Sequence, residues 1–374
     1  MSIRRGFATI SGYDTSVGGA QADPFSASGH VTDTHHPQPT PRNSHVTASV
    51  VIPAFTLDRW DLIVKVVDAV QSQTRPPVEL ILSIDRNAEL LRACQDRWGA
   101  ADLPVPVKVM ANDNQWTPHV VTESTSDGVA RGYGGGSARN SAAKAAIGDV
   151  IVTFDDDAWP EPECLKYLLA PYDDPSVVAV GATSIPDYET RRPIWFPRSF
   201  DWIFGGAYEG LPITLAPTPR LFGGMMSVRS TAFHALGGYR SADFDDLDLC
   251  TRLAFTYSDS AVLYEPRAVA HHFVPAKRVT WQYFWTRSFL VNRDKVAAFA
   301  LLGEAASLAP ERQFVLRSIP KQSAAALRGL FTGHPEELLQ WAAMLVGIGL
   351  AGLGNVVGRL RMWREGRRPA ASDI

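Results

Sequence analysis

The chain has 374 residues, of which 45% are hydrophobic and 20% are charged, a composition that suits one large domain with extensions. Its formal net charge of −3 argues against a general nucleic-acid-binding protein, because such proteins present a strongly basic surface. Three widely separated cysteines without a CxxC pair argue against a disulfide framework or a structural zinc site and favour a reducing cytosol.

Residues 1–45 are rich in serine, threonine, glycine, proline and histidine and show no apolar period. This composition predicts a disordered tail. The pair His35-His36 can bind a metal ion, but a solvated tail is the simpler interpretation. Arg4-Arg5 is followed by no long apolar run, so we expect no signal peptide.

From Val46 onward, apolar runs typical of buried strands alternate with segments that have helical spacing. The predicted strands are Val50–Pro53, Val78–Ile84, Val105–Met110 and Val150–Phe154. The predicted helices are Ala88–Trp98 and one whose core face comprises Trp60, Ile63, Val64, Val67 and Val70. This alternation predicts a parallel, doubly wound α/β sheet, and beyond about residue 185 the pattern becomes irregular and rich in aromatic residues.

Three consecutive carboxylates, Asp155, Asp156 and Asp157, follow the fourth predicted strand. Such a cluster has to be solvated or neutralised by a cation, and ligands of α/β sheets sit at the carboxyl ends of strands. Asp155 and Asp157 can both reach one hard divalent ion, so the predicted cofactor is Mg²⁺ or Mn²⁺. The alternative is an acidic turn that caps a helix starting near Pro160.

A glycine-rich run, residues 132–136, leads into a predicted helix of small residues. The free N–H groups at a helix N-terminus behind a flexible loop suit a diphosphate or another anion. The alternative is a mobile loop before a core helix. The loop gains specificity from the metal-type acids that follow a few residues later.

Several stretches within residues 46–285 resemble, in order, the motifs of family 2 glycosyltransferases of the GT-A fold. Ser49–Phe55 resembles the opening strand of that family, Gly136–Asn140 its Gly-Ala-Arg-Asn helix start, and Phe154–Asp157 its DXD motif. Its acceptor-side motifs are resembled by Phe222–Arg229, Gly237–Tyr239 and Asp245–Arg252. One departure is that Asp245-Asp246 stands where the family usually has Glu-Asp.

The resemblance implies an inverting, metal-dependent transfer of a sugar from a nucleotide diphosphate sugar to an acceptor hydroxyl. It implies donor binding by residues of the motifs and of one later loop: Pro53, Ala54, Asp85, Arg139, Asn140, Asp155, Asp156 and Arg278. Asp85 ends the second strand, where the family has an acid for the base or ribose; the alternative is an Asx-type turn with Asn87. Lys277 and Arg278 lie on a loop that can close over the diphosphate.

For the metal, the resemblance implies direct ligation by Asp157, a contact from Asp155 to the ribose or through water to the metal, and completion of the shell by His272. The tandem His271-His272 leaves the histidine ambiguous, because adjacent strand residues face opposite sides and only one can point inward.

We expect Asp246 to be the catalytic base, since inverting transfer needs one group that removes the acceptor hydroxyl proton. Asp245 is the second catalytic candidate, expected to cap the following helix and to perturb the pKa of its neighbour; the alternatives are that Asp245 is the base or that the acids only cap the helix. Trp195 and Trp202 are candidate stacking platforms for a sugar acceptor, and the alternative is that they are core or membrane-facing residues.

Residues 338–358 contain no charge and are long enough to cross a bilayer. Five arginines follow them: Arg359, Arg361, Arg364, Arg367 and Arg368. Positive flanks stay cytoplasmic, and nucleotide sugars are cytosolic, so the catalytic domain and the arginines belong on the same side. A single crossing would separate them, so an in-plane or re-entrant helix is favoured over a spanning one. The alternative is a buried helix of a soluble fold. We therefore expect a cytoplasmic protein, peripheral at the inner face of the plasma membrane.

The predicted organisation is a tail at 1–45, a GT-A domain at 46–285 with a donor half (46–184) and an acceptor half (185–285), and a helical extension at 286–374. The expected acceptor is a lipid-linked or cell-envelope glycan. A nucleotidyltransferase is a second possibility, but it has no need of Asp245-Asp246. A non-catalytic nucleotide-sugar-binding protein is a third.

Overall fold

The computed structural model describes residues 46–113, 135–218, 220–240, 245–302 and 309–364. Three features predicted from the sequence lie outside these residues: the disordered tail, the first glycines of the glycine-rich run (Gly132 and Gly134), and the last two arginines, Arg367 and Arg368.

Nine described strands form one mixed sheet in the order β3-β2-β1-β4-β8-β6-β9-β5, with β7 paired to β9. In chain order they are β1 Ala48–Ala54, β2 Glu79–Ile84, β3 Val107–Ala111, β4 Val150–Phe154, β5 Ala158–Pro160, β6 Ala179–Tyr188, β7 Ala216–Pro217, β8 Met225–Arg229 and β9 Val262–Val274. The described helices are α1 Trp60–Gln71, α2 Ala88–Trp98, α3 Gly135–Ala145, α4 Cys164–Leu169, α5 Ser230–Ala235, α6 Asp245–Tyr257, α7 Trp281–Leu302, α8 Ala309–Thr332 and α9 Glu336–Arg364.

The first four strands in the sheet order, β3, β2, β1 and β4, are parallel, as the alternating pattern predicts. Helices cover both faces, because successive side chains of a strand point to opposite sides. Val50 and Ile52 of β1 pack in the cluster that contains the buried face of α1, whereas Val51 packs in the cluster that contains Ala142 of α3. This parallel half is therefore a doubly wound layer. The acids that follow β4 lie at its carboxyl edge.

One alternative considered from the sequence, that the acids cap a helix starting near Pro160, is wrong. No helix starts near Pro160, because Ala158–Pro160 forms β5 and pairs with β9, and α4 begins at Cys164. The segment after residue 185 also supplies regular strands, since β8 lies antiparallel between β4 and β6, and β9 pairs with β6. Both predicted halves of the domain thus contribute to one sheet.

The long C-terminal helix α9 packs closely along α7 through glycines. A Cβ atom at Gly347 would lie 2.6 Å from Phe200, and one at Gly354 or Gly358 would clash with backbone oxygens of α7. Gly349 and Gly352 have no such neighbour within 4 Å among the described residues. α9 is therefore attached to the folded domain along one face, and its other face is open.

This difference between the glycines predicts opposite effects of two matched substitutions. Gly354→Ala should lower the free energy of unfolding by about 1–3 kcal/mol, because the added methyl group meets the carbonyl oxygen of Phe289. Gly352→Ala should raise it by up to about 1 kcal/mol, because alanine is the better helix former and the site is open. Denaturant unfolding followed by circular dichroism measures both, and equal effects would contradict this packing of α9 on α7.

Candidate functional site

Acidic side chains from the end of β4 meet an imidazole from β9 at the carboxyl edge of the sheet. Asp155, Asp157 and His272 each bring one ligand atom into a group whose members all lie within 4.8 Å of one another. Two carboxylate oxygens and one imidazole nitrogen form a donor set for a divalent cation.

The strand period resolves the tandem histidines. His272 is buried and its Nε2 lies 3.4 Å from Oδ1 of Asp157, whereas Nε2 of His271 lies 3.0 Å from Glu161 on the other side of the strand. Nδ1 of His272 donates to the carbonyl oxygen of Phe204 at 2.7 Å, so in the neutral ring the proton is on Nδ1 and the lone pair of Nε2 points toward the acids. Burial lowers the pKa of His272, but Asp157 and Asp155 outweigh it and raise the pKa overall.

A glycine makes this orientation possible. Gly205 ends the short 3-10 turn Arg198–Phe204 in the left-handed region, with φ at +72°. A Cβ atom at Gly205 would lie 3.0 Å from the His272 ring. Both the backbone conformation and the close approach therefore require glycine, and together they bring the Phe204 carbonyl to the histidine.

Arg59, which precedes α1, neutralises two acids of the triplet. It forms an ion pair with Asp156 and lies 3.1 Å from Oδ2 of Asp157. Burial raises the pKa of Asp156 to about 7 against the opposing effect of Arg59. Burial also opposes charge on Asp157, but His272, Arg59 and Arg278 outweigh it and lower the pKa of Asp157 to about 2. Asp157 is therefore kept in its charged form, whereas Asp156 forms an ion pair with Arg59.

Asp155 and Asp246 are approached by the glycine pair that precedes β8. A Cβ atom at Gly224 would clash with the Asp155 carboxylate, and one at Gly223 would lie 2.8 Å from Cβ of Asp246. The N–H of Gly223 donates to Oδ2 of Asp246 at 3.2 Å. The Gly-Gly motif thus lets the backbone of the loop before β8 lie directly against both acids.

The two acids at the start of α6 have different environments. Oδ2 of Asp245 lies 2.8 Å from Nη1 of Arg139, and its Oδ1 accepts from the N–H of Asp246 at 2.9 Å. Burial raises the pKa of Asp245 to about 6, with Arg139 opposing. Asp246 accepts backbone N–H groups from Gly223 and Leu247 and forms no ion pair within the described residues. Asp246 is thus the acid of the pair whose charge no arginine neutralises there.

On the donor side, Asp85 lies at the carboxyl end of β2. It accepts from Nδ2 of Asn112 at 2.9 Å, and its N–H donates to the carbonyl oxygen of Ala54 at 2.8 Å, beside Pro53 at the end of β1. Asn112 follows β3 directly, so neighbouring strand ends supply both groups. Asn87 caps α2 by accepting from the N–H of Leu90 at 2.9 Å.

Two residues that the resemblance assigns to the donor, Asn140 and Arg139, make contacts within the protein. The side chain of Asn140 exchanges two hydrogen bonds with the backbone of Tyr239, at 2.8 and 2.9 Å. Arg139 pairs with Asp155 and Asp245. Arg278 lies in the turn Ala276–Arg278 after β9, where its charge contributes to the lowered pKa of Asp157.

The candidate acceptor tryptophans belong to an aromatic cluster. Trp195 stacks on Trp281, with ring centroids 3.8 Å apart, and packs edge-on against Phe284. Trp202 is partly buried beside Phe200. These contacts match the core interpretation, because they occupy one face of Trp195 and tie the acceptor half to α7.

Sequence reasoning missed two contributors to this site. Arg59 lies 97 residues from Asp156 and belongs to no motif, so no signal marked it. Phe204 acts through its backbone carbonyl, which any side chain could accompany. A weak signal for it was Gly205, since a glycine after a short turn indicates a left-handed end.

Comparison with known proteins agrees with the geometry. The model of "Glycosyl transferase family 2" matches residues 129–237. The glucosyl-dolichyl phosphate glucuronosyltransferase of Haloferax volcanii is 27% identical over 257 residues, which cover 66% of this chain and 75% of that protein. Among solved structures, the mannosyltransferase PcManGT from Pyrobaculum calidifontis, in complex with GDP-Man and Mn²⁺, superposes with a TM-score of 0.53 at 19% identity, covering 84% of this chain and 88% of that one.

The matched family segment contains the arginine helix, the acid triplet and the Gly-Gly strand described above, and the structural similarity confirms the GT-A fold expected from the sequence. The chain thus has the GT-A fold of glycosyltransferases, and through residues 129–237 it is similar to the family 2 members of that class of enzyme.

Proposed function

We propose that this enzyme transfers a sugar from a nucleotide diphosphate sugar by a metal-dependent, inverting mechanism with Asp246 as the base. The observation that carries the proposal is that the acids of the site have different contacts. Asp155, Asp157 and His272 converge as a ligand set, while Asp246 faces the same edge of the sheet without an ion pair in the described part of the chain.

The residues fit a divalent cation. Nε2 of His272 is available because Nδ1 carries the proton that binds Phe204, and Asp157 is held charged. A set with an imidazole nitrogen favours Mn²⁺ over Mg²⁺, which prefers oxygen ligands alone. A cation bound there supplies a positive charge that stabilises the diphosphate leaving group.

Asp246 takes the proton of the acceptor hydroxyl as the hydroxyl oxygen forms its bond to the anomeric carbon. The bond from that carbon to the diphosphate oxygen breaks, and its electron pair leaves with the nucleotide. Attack and departure on opposite faces invert the anomeric configuration. Asp85 accepts from hydroxyl or N–H groups of the nucleoside at the ends of β1 and β2.

A panel of nucleotide diphosphate sugars with Mn²⁺ tests this proposal through thermal shift and product formation. A bound donor raises the melting temperature by mass action, and transfer releases a nucleoside diphosphate. A nucleotidyltransferase would instead release pyrophosphate from a nucleoside triphosphate. A binding protein would show the shift without turnover.

The proposed acceptor is a lipid-linked molecule at a membrane surface. The Haloferax volcanii relative is named for a dolichyl phosphate substrate. In this chain, α9 is the described helix whose length and composition suffice to cross a membrane. Its face opposite α7 exposes a row of apolar side chains, named here the apolar face of α9: Leu345, Val346, Leu353, Val356, Leu360 and Trp363.

Packing favours an in-plane position for α9. α7, which lies along it, carries Arg287, Arg293, Asp294 and Lys295, and these charges oppose entry of the helix pair into hydrocarbon. Arg359 and Arg361 at the end of α9 suit anionic head groups. α7 begins at Trp281, three residues after Arg278, whose charge acts on Asp157, so the membrane would lie close to the cation ligands.

Charges placed on the apolar face of α9 should abolish membrane binding. The variant Leu353→Glu/Val356→Glu should bind vesicles of phosphatidylcholine and phosphatidylglycerol at least about tenfold more weakly, because each buried apolar side chain contributes about 1.5–3 kcal/mol. Ile213→Glu, in an exposed loop, is the matched control and should bind like the wild type. Co-sedimentation measures both, and equal binding of all three proteins would argue against membrane contact through α9.

A further inference from the structure

The buried guanidinium of Arg139 connects the donor side with the base side. Nη2 pairs with Oδ1 of Asp155 after β4, and Nη1 lies 2.8 Å from Oδ2 of Asp245 at the start of α6. Its side chain is 8% exposed, and its remaining nitrogen, Nε, is buried without a hydrogen-bond partner among the described residues.

The surroundings of Arg139 fix its position. Its guanidinium carbon lies 5.5 Å above the centre of the Tyr239 ring, and the next residue, Asn140, holds the backbone of Tyr239 by two hydrogen bonds. The Ala-Arg-Asn segment therefore supplies both the arginine and the clamp that keeps its aromatic support in place.

The glycines at the start of α3 give a second, independent observation. A Cβ atom at Gly135 would lie 3.1 Å from Nη1 of Arg139, and one at Gly136 would lie 3.0 Å from Oδ2 of Asp245. The sequence interpretation assigned the glycine-rich run to anion binding. Its two described members instead make room for the arginine–aspartate pair.

The geometry points to Arg139 as a positioning residue that couples the two halves of the reaction. It holds Asp245, and through the helix start Asp246, at a fixed place relative to Asp155 and the cation ligands. The inference rests on the proposed function, and it replaces the donor-binding role that the family resemblance assigned to Arg139. Lysine cannot substitute, because one ammonium on a flexible stem does not span two carboxylates as a planar guanidinium does.

The test compares transfer with donor binding in Arg139→Lys. We expect kcat to fall about 10²-fold, the usual effect of a misplaced catalytic group, with a much smaller change in the donor KM and in the Mn²⁺-dependent nucleotide affinity, because Asp157 and His272 remain in place. Arg59→Lys is the contrasting variant, because Arg59 bridges two acids within the triplet; it should weaken nucleotide affinity instead.

Two further variants, Arg139→Met and Arg139→Met/Asp245→Asn, distinguish a positioning role of Arg139 from a purely structural one. The single variant leaves a buried carboxylate unpaired and should lower the melting temperature. The double variant removes that charge, so the melting temperature should recover while kcat stays low.

Three results would overturn the inference: wild-type kcat in Arg139→Lys, a loss of nucleotide affinity as large as the loss of kcat, or recovery of kcat together with stability in the double variant. Asp246→Asn in the same assay keeps the two proposals apart. If Asp246→Asn loses transfer while Arg139→Lys behaves like the wild type, only the coupling role fails. If Asp246→Asn retains transfer, the proposed mechanism fails.

Discussion

Replacing Asp246 with asparagine is expected to reduce glycosyl transfer by on the order of 10²–10⁴-fold, the usual effect of losing a general base. Donor affinity should be unchanged, because Asp246 contacts backbone N–H groups and belongs to neither the ligand set nor the nucleoside side. Asparagine has nearly the same shape and can still accept these hydrogen bonds, so the fold of the α6 start is retained. Initial rates at saturating donor, with nucleotide affinity from calorimetry, measure the effect.

Asp245→Asn is the matched control one residue away. It should cost less transfer, because it weakens the pair with Arg139 but leaves the proton acceptor in place. It should also change the free energy of unfolding, since Asp245 is the acid of the two that forms an ion pair with Arg139. A larger loss of transfer in Asp245→Asn than in Asp246→Asn would show that the base lies one residue earlier.

Much of the parallel half could be predicted from local pattern. β4 coincides with its predicted span, and α2 also matches, because buried strands and amphipathic helices leave their period in a few consecutive residues. Strand alternation also required that only one of His271 and His272 point inward. The sequence could not say which one, because that depends on which face of β9 meets the acids.

The contacts that define the site could not be predicted from the sequence, for a different reason. Asp156 and Arg59 are 97 residues apart, and Arg139 and Asp245 are 106 apart, so no local period relates them. The sheet order that inserts β8 between β4 and β6 brings Gly223 and Gly224 against the acids. The pattern likewise located the apolar segment 338–358, whereas the full extent of α9, Glu336–Arg364, and its division into a packed face and an open face follow from the structure and its contacts with α7.

For the acid triplet, the structure reverses the expected effect of removing one carboxylate on stability. Considered alone, three adjacent carboxylates repel, and removing one should relieve that repulsion. In the folded protein Arg59 and His272 outweigh both burial and repulsion at Asp157, whose pKa is lowered to about 2. A lowered carboxylate pKa means that the charged form stabilises the folded state above the unfolded pKa and that this stability is lost as the pH falls toward 2. Asp157→Asn should therefore lower the melting temperature of the metal-free protein at neutral pH.

The same substitution should abolish the response to metal. In the wild type, Mn²⁺ should raise the melting temperature as its concentration passes the dissociation constant, since the ion binds the folded state. Asp157→Asn and His272→Gln should lose this rise, and with it Mn²⁺-dependent nucleotide binding, because each removes one of the three converging ligand atoms. His271→Gln is the matched control, since that ring stacks on Trp159 and faces Glu161 on the other side of β9. A Mn²⁺ shift that survives in Asp157→Asn, or that disappears equally in His271→Gln, would place the cation elsewhere and would remove the basis for a metal-dependent mechanism at this edge of the sheet.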